Sequence, residues 1–295
     1  MKHHEEWVIA YRNRNNNTLL IDDQREPFQC IQNTWRYWCA DPHLFENNGH
    51  TYVFAELYDR ILRRGVIGCC ELSDAGCSKW QVVLSEPYHL SYPHVFEYNG
   101  EVYMIPESYV AAEISIYRST FFPYKWEKVK VLKDSCVAVD STFFSDQHGC
   151  WILTLESEKS GEYLRIYKIS DGILSKHPHI VAHNSNQVRP AGNFFLHNGK
   201  LLRPAQDCSD SYGCALNFYQ VTKLDEREYS EKLVKKITPS MIHSNFHHKI
   251  HGIHTYNLSG KYEIIDLKYR KIDLWFYLMR PVWYLVRRIK NLWKG

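Results

Sequence analysis

Three acidic side chains stand at related places in three similar segments of the sequence. Asp41 opens DPHLFENNGHTYVFAE, Glu107 lies near the end of YPHVFEYNGEVYMIPES, and Asp140 opens DSTFFSDQHGCWILTLES. Carboxyl groups that are brought close together repel one another, so one keeps its proton while another ionises. Glycosyl chemistry uses such a pair as general acid and base. We therefore take these three residues as the candidate catalytic groups.

The three segments belong to a repeat that occurs five times. Each copy has two strand-like runs around an Asn-Gly-like turn, which is a strong signal for a β-hairpin. The turn glycines are spaced 51, 49, 50 and 61 residues apart and are Gly49, Gly100, Gly149, Gly199 and Gly260. Two further strand-like runs separate successive hairpins. Four strands repeated five times predict an all-β fold, a five-bladed β-propeller over residues 1–266, with the N-terminal strand WVIAYR completing the last blade.

Inner hairpins of a propeller line its central channel, so the equivalent ends of the five hairpins should meet at one mouth. Besides the three catalytic candidates, the residues that this register brings there are predicted to bind substrate, and they are Glu56, Tyr92, Glu156, Arg189, Arg203, Asp207 and His254. Trp35, Trp38 and Tyr212 would add aromatic surfaces on which a sugar can stack. A structural role stays open for Glu56, Glu107 and Glu156, because acids that recur at strand ends can also cap amides or pair with arginine.

Short motifs add a family resemblance. WCADPHLF, VDSTFF and GIHT resemble the five-bladed propellers of glycoside hydrolase family 43. That resemblance implies a general base at Asp41, an aspartate that orients the proton donor at Asp140, and an axial histidine at His254. HLSYPHVFEYNGEVYMIPES, VDSTFF, RPAGNFFLHNGKLLRPAQDCSDSYG and GIHT more specifically resemble the N-terminal domain family of glucosamine inositolphosphorylceramide transferase and its bacterial relatives, over roughly residues 30 to 266.

The fourth repeat departs from the hydrolase pattern. Those hydrolases carry their proton-donor glutamate at the head of blade four, where this chain has the run VRPAG at residues 188–192. Arg189 and Arg203 suit an anionic group instead, because a guanidinium matches the geometry of a phosphate or carboxylate. The sequence therefore predicts a sugar donor that carries a nucleotide or a lipid phosphate.

Residues 267–295 have a different character. Apolar residues recur there at steps of three and four, which predicts an amphipathic C-terminal helix. Aromatic and basic residues on such a helix are typical of contact with an anionic membrane surface, and the candidates are Trp275, Phe276, Trp283, Arg287, Arg288 and Trp293. A helix packed against the propeller is the alternative. Nucleic acid is not a predicted partner, because the rest of the chain shows no basic surface.

Composition also bears on the cofactors and the cellular location that we expect. The nine cysteines form no C-x-x-C pair, and the histidines near residue 250 follow no firm ligand pattern, so no metal site is predicted. We expect no certain cofactor, with a divalent cation left open. The first residues contain no apolar run of the kind that a secretory signal needs. We therefore expect a cytoplasmic protein that is peripheral on the inner face of the plasma membrane.

These observations favour a glycosyltransferase-like enzyme of surface polysaccharide or glycolipid assembly. Its partners would be a sugar donor and a glycan or glycolipid acceptor. Asp41 would act as the base on an acceptor hydroxyl, while Asp140 and Glu107 would orient or donate protons. Two alternatives stay open: a family-43-like glycoside hydrolase, and a propeller that binds glycans without catalysis.

Overall fold

The computed structural model describes residues 3–14, 18–22, 25–179, 181 and 185–272. These residues form 23 strands in five sheets, with three single turns of 3₁₀ helix at Tyr109–Ala111, Ser185–Gln187 and Pro239–Met241. No helix in these ranges is long and apolar enough to cross a bilayer. The predicted five-bladed β-propeller is confirmed.

The strands follow the predicted order of the repeats. The chain begins with β1 (His3–Asn13) and β2 (Gln29–Ile31). Blade 1 contains β3 (Tyr37–Asn47), β4 (His50–Asp59), β5 (Arg64–Ser73), β6 (Gly76–Cys77) and β7 (Gln81–Leu84); blade 2 contains β8 (Ser91–Tyr98), β9 (Glu101–Glu107), β10 (Ile114–Phe121) and β11 (Lys125–Lys133). Blade 3 contains β12 (Val137–Asp146), β13 (Gly149–Glu158), β14 (Gly161–Ser170) and β15 (Ile173–Lys176); blade 4 contains β16 (Arg189–Pro190), β17 (Phe195–His197), β18 (Lys200–Asp207), β19 (Ala215–Leu224) and β20 (Tyr229–Ile237). Blade 5 contains β21 (Ile250–Gly252), β22 (Tyr256–Ser259) and β23 (Tyr262–Ile272). Its sheet is completed by β1, which pairs with β23, and by β2, which pairs with β1.

The inner hairpins turn where the sequence predicted. In blade 1, Asn48 and Gly49 have φ values of 50° and 77°. The Asn-Gly pairs of blades 2 and 4 repeat these values within a few degrees. A two-residue hairpin whose twist matches its strands needs positive φ at both positions, which asparagine and glycine tolerate best. The turn residues therefore fix the register of the inner hairpins.

The ring closes through the two ends of the described chain. Strand β1 pairs antiparallel with β23 from His3 opposite Ile272 to Asn13 opposite Tyr262. This confirms that the N-terminal strand completes the last blade. Because β23 runs to Ile272, the propeller continues past the predicted boundary at residue 266, and residues 267–272 are strand, not helix. The six membrane-binding candidates of the predicted helix all lie in 273–295, outside the described residues.

Hydrophobic clusters fill the spaces between neighbouring blades. Leu44 and Ile264 belong to the cluster between blades 1 and 5, and Trp151 packs between blades 3 and 4. Three more clusters fill the remaining junctions between adjacent blades. Along the axis, β8 contacts both β3 and β12, while β22 contacts β3. Apolar burial between blades thus holds the inner hairpins in a ring around one channel.

Glu156, predicted to bind substrate, links two blades instead. Its carboxylate accepts hydrogen bonds from Lys133 Nζ at 2.8 Å to both oxygens, and Tyr167 Oη donates to Oε1 at 2.7 Å. Lys133 belongs to blade 2, whereas Glu156 and Tyr167 belong to blade 3. The side chain of Glu156 is buried. Its contacts are those of a structural ion pair between blades.

Arg203 and Asp207 make similar pairs within blade 4. Arg203 donates to both oxygens of Glu231, from Nε at 2.8 Å and from Nη2 at 2.7 Å, and its Nη1 donates to the carbonyl oxygen of Val188. Asp207 pairs with Lys236 Nζ at 2.7 Å. Both predicted site residues are buried. Their charges are therefore directed at partners inside the blade.

We expect Arg203→Met to lower the free energy of unfolding by roughly 3–5 kcal/mol, because Glu231 would lose the guanidinium that compensates its buried charge. Urea denaturation measures the change. Arg118→Met is the matched control, since Arg118 pairs with Glu101 at the surface and should cost less than about 1 kcal/mol. An Arg203→Met protein that keeps its stability but loses substrate affinity would contradict the structural role.

Candidate active site

Three blades carry the same backbone irregularity on their innermost strand. The regular register breaks after Ala40 in blade 1, after Ser91 in blade 2 and after Val139 in blade 3. The residue that follows each break has a left-handed backbone: φ is 50° at Asp41, 42° at Tyr92 and 53° at Asp140. Positive φ is uncommon outside glycine, and bulges of this kind redirect a side chain. The propeller thus uses one device three times to aim a side chain at its axis.

A cavity of about 410 Å³ opens at this end of the channel. Its lining comprises Trp7, Trp38, Asp41, Glu56, Tyr58, His89, Ser91, Glu107, Tyr109, Val139, Arg189, Tyr212 and His254. The cavity therefore brings together five of the predicted site residues from blades 1, 2, 4 and 5. Its volume falls in the range that binds small ligands.

Asp41 is held by contacts from the two neighbouring blades. Its Oδ1 accepts a hydrogen bond from Thr255 Oγ1 at 3.0 Å, and its Oδ2 accepts one from the backbone N–H of Tyr92 at 3.2 Å. His254 Nε2 lies 3.6 Å from Oδ1. Burial raises the pKa of Asp41 to about 6, even though His254 acts in the opposite direction. A carboxyl group with that pKa is suited to take up a proton near neutral pH.

Asp266 holds this part of the site together, and sequence reasoning missed it. Its Oδ1 accepts the backbone N–H groups of His254 and Thr255, and its Oδ2 accepts that of Asp41 at 2.9 Å. These bonds bridge the gap in the inner strand of blade 5, between β21 and β22. A signal was present, because Asp266 lies six residues after Gly260, near the place that Glu56 and its equivalents occupy after their turn glycines.

His254 is fixed on three sides. Its Nδ1 lies 2.6 Å from Asp266 Oδ2, and its ring stacks on Trp7 with centroids 3.7 Å apart. Tyr212 meets the ring edge-on at 5.3 Å. Burial alone would lower the pKa of His254, but the carboxylates of Asp266 and Asp41 outweigh it and raise that pKa. His254 therefore holds a proton more readily than an ordinary histidine, next to the candidate base.

Arg189 joins the other two catalytic candidates. Its Nε donates to Asp140 Oδ2 at 2.5 Å, and its Nη2 donates to Glu107 Oε2 at 3.3 Å. Gln206 Nε2 also donates to Asp140 Oδ2, at 2.7 Å, and Asp140 is not among the residues that line the cavity. The Arg189 guanidinium lies over the ring of Tyr212 at 5.2 Å. Its Nη1 makes no hydrogen bond to any residue that the structure describes, and its side chain is 20% exposed.

Glu56 and Glu107 are buried carboxyl groups in the cavity wall. Burial raises the pKa of both well above the ordinary value; the Asp41 charge adds to the effect on Glu56, and Asp140 to that on Glu107. His89 Nε2 lies 3.3 Å from Glu56 Oε1. A side chain at Gly65 would collide with the same oxygen, since an added Cβ would lie 2.8 Å away. Both glutamates are therefore candidates for groups that hold a proton near neutral pH.

The cavity and its immediate support hold more negative than positive groups. Five carboxyl groups face only two cations, Arg189 and His254; the five are Asp41, Glu56, Glu107, Asp140 and Asp266. Like charges in a buried site cannot all ionise together. Burial raises the pKa of Asp41, Glu56 and Glu107, and the neighbouring carboxylates add to that rise. The cavity can therefore both accept and donate protons.

The remaining predicted site residues have other surroundings. Tyr92 is buried beside the cavity, where its Oη shares a hydrogen bond of 2.8 Å with Thr142 Oγ1, and only its backbone N–H reaches Asp41. Glu156, Arg203 and Asp207 are not among the lining residues. Trp38 does line the cavity and stacks on Tyr58 with centroids 4.8 Å apart.

Asp41, His254 and Asp266 have ligand atoms within 4.8 Å of one another, close enough to suggest a metal site. These atoms are already engaged, however. Both oxygens of Asp266 accept backbone N–H groups, and His254 Nδ1 is directed at Asp266. A cation would have to displace these contacts, so the cluster does not fit a resident metal ion. The divalent cation left open by the sequence stays a prediction.

Solved structures with this architecture are glycoside hydrolases of low sequence identity. The α-L-arabinofuranosidase of Coprinopsis cinerea, of glycoside hydrolase family 62, superposes with a TM-score of 0.58 at 12% identity, over 79% of this chain and 90% of that one. An arabinanase of Bacillus subtilis superposes with a TM-score of 0.51 at 12% identity, over 77% of this chain and 92% of that one. At this identity the likeness concerns the fold alone.

Sequence relatives are much closer. The chain is 34% identical over 204 residues to glucosamine inositolphosphorylceramide transferase 1 of Oryza sativa subsp. indica, and 33% identical over 205 residues to the protein of that name in Arabidopsis thaliana. The matches cover 65% of this chain but only 27% and 26% of the relatives. The chain thus spans about a quarter of the length of the curated relatives that it matches.

The match to a family extends across nearly the whole propeller. Residues 31–262 fit the family described as "Glucosamine inositolphosphorylceramide transferase 1, N-terminal". That range begins just before blade 1 and ends at the start of β23, so it includes Asp41, Glu107, Asp140, Arg189 and His254. The resemblance that the repeat phrases predicted is confirmed, and the chain belongs to this family.

Proposed function

We propose that the propeller is the catalytic domain of a glycosyltransferase that moves a sugar from an anionic donor to a glycan or glycolipid acceptor. The observation that carries this proposal is the place of Arg189. It puts a guanidinium at the head of blade 4, inside a cavity walled by Asp41, Glu56 and Glu107. A fixed cation there suits a phosphate that is bound and then released, because a guanidinium pairs with phosphate oxygens.

The proposed reaction uses the residues in separate roles. Asp41 takes the proton from an acceptor hydroxyl, whose oxygen attacks the anomeric carbon of the donor sugar. The bond from that carbon to the donor phosphate breaks, and the phosphate leaves with the bonding electrons beside Arg189. Glu107, in its protonated form, donates a hydrogen bond or the proton to the departing oxygen. Asp140 positions Arg189, and Asp266 positions both Asp41 and His254.

The proposal also covers the acceptor and the location of the enzyme. The acceptor would belong to surface polysaccharide or glycolipid assembly, at the cytoplasmic face of the plasma membrane. The support for an anionic membrane surface is the basic and aromatic pattern of residues 273–295. The relatives' printed name refers to transfer involving a ceramide glycolipid, which favours a lipid-linked acceptor for this chain.

A glycoside hydrolase is the second candidate. The observation that favours it is that Asp41 shares one cavity with Glu56 and Glu107, whose pKa values burial raises, because a carboxyl pair of this kind can also activate water. Incubation with nucleotide sugars plus acceptor, and separately with aryl glycosides, distinguishes the two. Release of aryl alcohol without any transfer would favour the hydrolase.

Asp41→Asn should reduce the transfer rate by roughly 10²–10⁴-fold, because the variant cannot accept the proton of the acceptor hydroxyl. Asparagine tolerates the left-handed backbone at this position, so the thermal midpoint should change little. Initial rates with a nucleotide sugar measure the effect. Asp134→Asn, at an exposed position, is the matched control. A fully active Asp41→Asn protein would exclude this residue as the base.

Arg189→Gln should raise the KM for an anionic donor by between about tenfold and a hundredfold, since a hydrogen bond to a charged group contributes roughly 1.5–3 kcal/mol. Arg189→Lys keeps the charge but loses the planar fork, and should show an intermediate KM. Neither variant should weaken binding of an uncharged sugar to the same degree. An equal loss for charged and uncharged ligands would mean that Arg189 only supports the cavity.

The transfer rate should follow a bell-shaped pH profile. Its acid limb should fall as the pH drops through about 6, because Asp41 then gains the proton that blocks it as a base. Its alkaline limb reflects Glu107, whose raised pKa keeps the donor proton in place until higher pH. Glu107→Gln should remove the alkaline limb and keep the acid one. Persistence of both limbs in that variant would assign the donor proton to another group.

A further inference from the structure

The rim of blade 1, beside the mouth of the cavity, carries exposed apolar and basic side chains that take no part in the proposed reaction. We infer that the rim of blade 1 is a membrane-docking surface, which holds the mouth of the cavity against an anionic bilayer. This rim surface consists of two short segments, residues 34–36 and 60–64. The inference deepens the membrane setting of the proposed function and uses residues that are separate from the catalytic groups.

Large apolar side chains protrude from the rim surface. Trp35 is 80% exposed, Ile61 is 59% exposed and Leu62 is 44% exposed. On the neighbouring blade, Tyr109 and Val110 extend the same rim and are 47% and 55% exposed. Exposed apolar side chains that are clustered in this way mark an interaction site more often than isolated ones do.

Hydrogen bonds fix the backbone that carries these side chains. Arg60 Nη1 donates to the carbonyl oxygens of Thr34 at 2.8 Å and Trp35 at 3.1 Å, which joins the two segments. Asp59 Oδ1 accepts the backbone N–H groups of Ile61 and Leu62. The exposure therefore belongs to an ordered turn and loop.

The charges of the rim surface indicate the chemistry of its partner. The turn reads Arg60-Ile61-Leu62-Arg63-Arg64, so its apolar tip is flanked by arginines on both sides. Arg60 pairs with Glu6, whereas Arg63 and Arg64 form no ion pair with any residue in the described ranges. Apolar tips beside unpaired cations suit the interface of a bilayer that contains anionic lipids. A protruding tip is not the shape of a groove for a peptide or helix.

The position of the rim surface links it to the catalytic cavity. Trp38 and Tyr58, which line the cavity, pair with each other in the ladder just before the turn. Glu6 connects the rim to the end of β23, because it contacts Arg60 at 2.7 Å and Lys271 at 3.7 Å. The last described residues of β23 therefore lie beside this surface. A bilayer here would present a lipid-linked acceptor to the open end of the cavity.

Cosedimentation of the full chain with vesicles tests the inference without any turnover. The vesicles are phosphatidylcholine containing phosphatidylserine, with pure phosphatidylcholine for comparison. Combined Trp35→Ser, Ile61→Ser and Leu62→Ser should reduce the partition coefficient more than tenfold. Leu196→Ser, at a 75% exposed position in blade 4 beside the turn at the opposite end of the channel, is the matched control and should change nothing.

Two further measurements identify the docking face independently of the predicted helix. Combined Arg63→Gln and Arg64→Gln should weaken binding to the anionic vesicles by roughly fivefold per arginine, with little effect on pure phosphatidylcholine. Amide hydrogen exchange in residues 33–36 and 60–64 should slow when anionic vesicles are added, while exchange around residue 198 should not.

Vesicle binding with unchanged exchange in these segments would overturn the inference. So would apolar rim variants that bind vesicles normally but transfer poorly to a soluble acceptor, since the rim would then contact the glycan. Loss of vesicle binding with intact transfer to that soluble acceptor would support it, and failure of the proposed reaction alone would leave vesicle binding intact.

Discussion

The pairing of β1 with β23 is the constraint on which the site depends. It closes five similar sheets into a ring, and only a closed ring brings the inner strands of all blades to one axis. The catalytic candidates lie far apart in the sequence, so no local structure could position them. Asp266 adds a polar link at the same junction, because it stands on β23 and holds the backbone of Asp41 in blade 1. The pairing that closes the ring therefore also positions the residues of the site.

The second constraint is electrostatic. A buried ring of carboxyl groups is unstable unless cations, hydrogen-bond donors or protons neutralise it. Three kinds of compensation are present here: Arg189 beside Asp140, backbone amides around Asp266, and raised pKa values that favour the protonated form of the glutamates in the cavity. Because these compensations differ from one carboxyl group to the next, chemically similar side chains acquire different proton affinities. The roles of base, donor and supporting groups that we propose rest on that difference.

The repeat made most of the fold predictable, and it also explains where residue assignments failed. Periodic hairpins with Asn-Gly turns identify blades, whereas the face that a side chain occupies depends on register to within one residue. Glu56 lies opposite Ala40, directly before the Asp41 bulge, but Glu156 lies opposite Ala138, one residue farther from its bulge. That single step moves Glu156 away from the cavity. Alignment on the glycines concealed it, because Gly49 is the second turn residue of its hairpin, whereas Gly149 already pairs with Asp146 on the strand. Arg203 and Asp207 were assigned to the site for a different reason. Their ion-pair partners, Glu231 and Lys236, lie on β20, a strand that the alignment of inner hairpins did not include.

The left-handed bulge on three inner strands has a consequence for how such propellers diversify. A bulge that is built by the backbone holds its side chain at the axis whatever that side chain is, as an aspartate in two blades and a tyrosine in the third illustrate. Chemistry can then change by exchanging one residue in a blade while the surrounding sheet stays as it is. The sheets of the propeller can thus stay unchanged while its reactive side chains differ. Divergence between transfer and hydrolysis within this architecture would require few substitutions at these bulge positions.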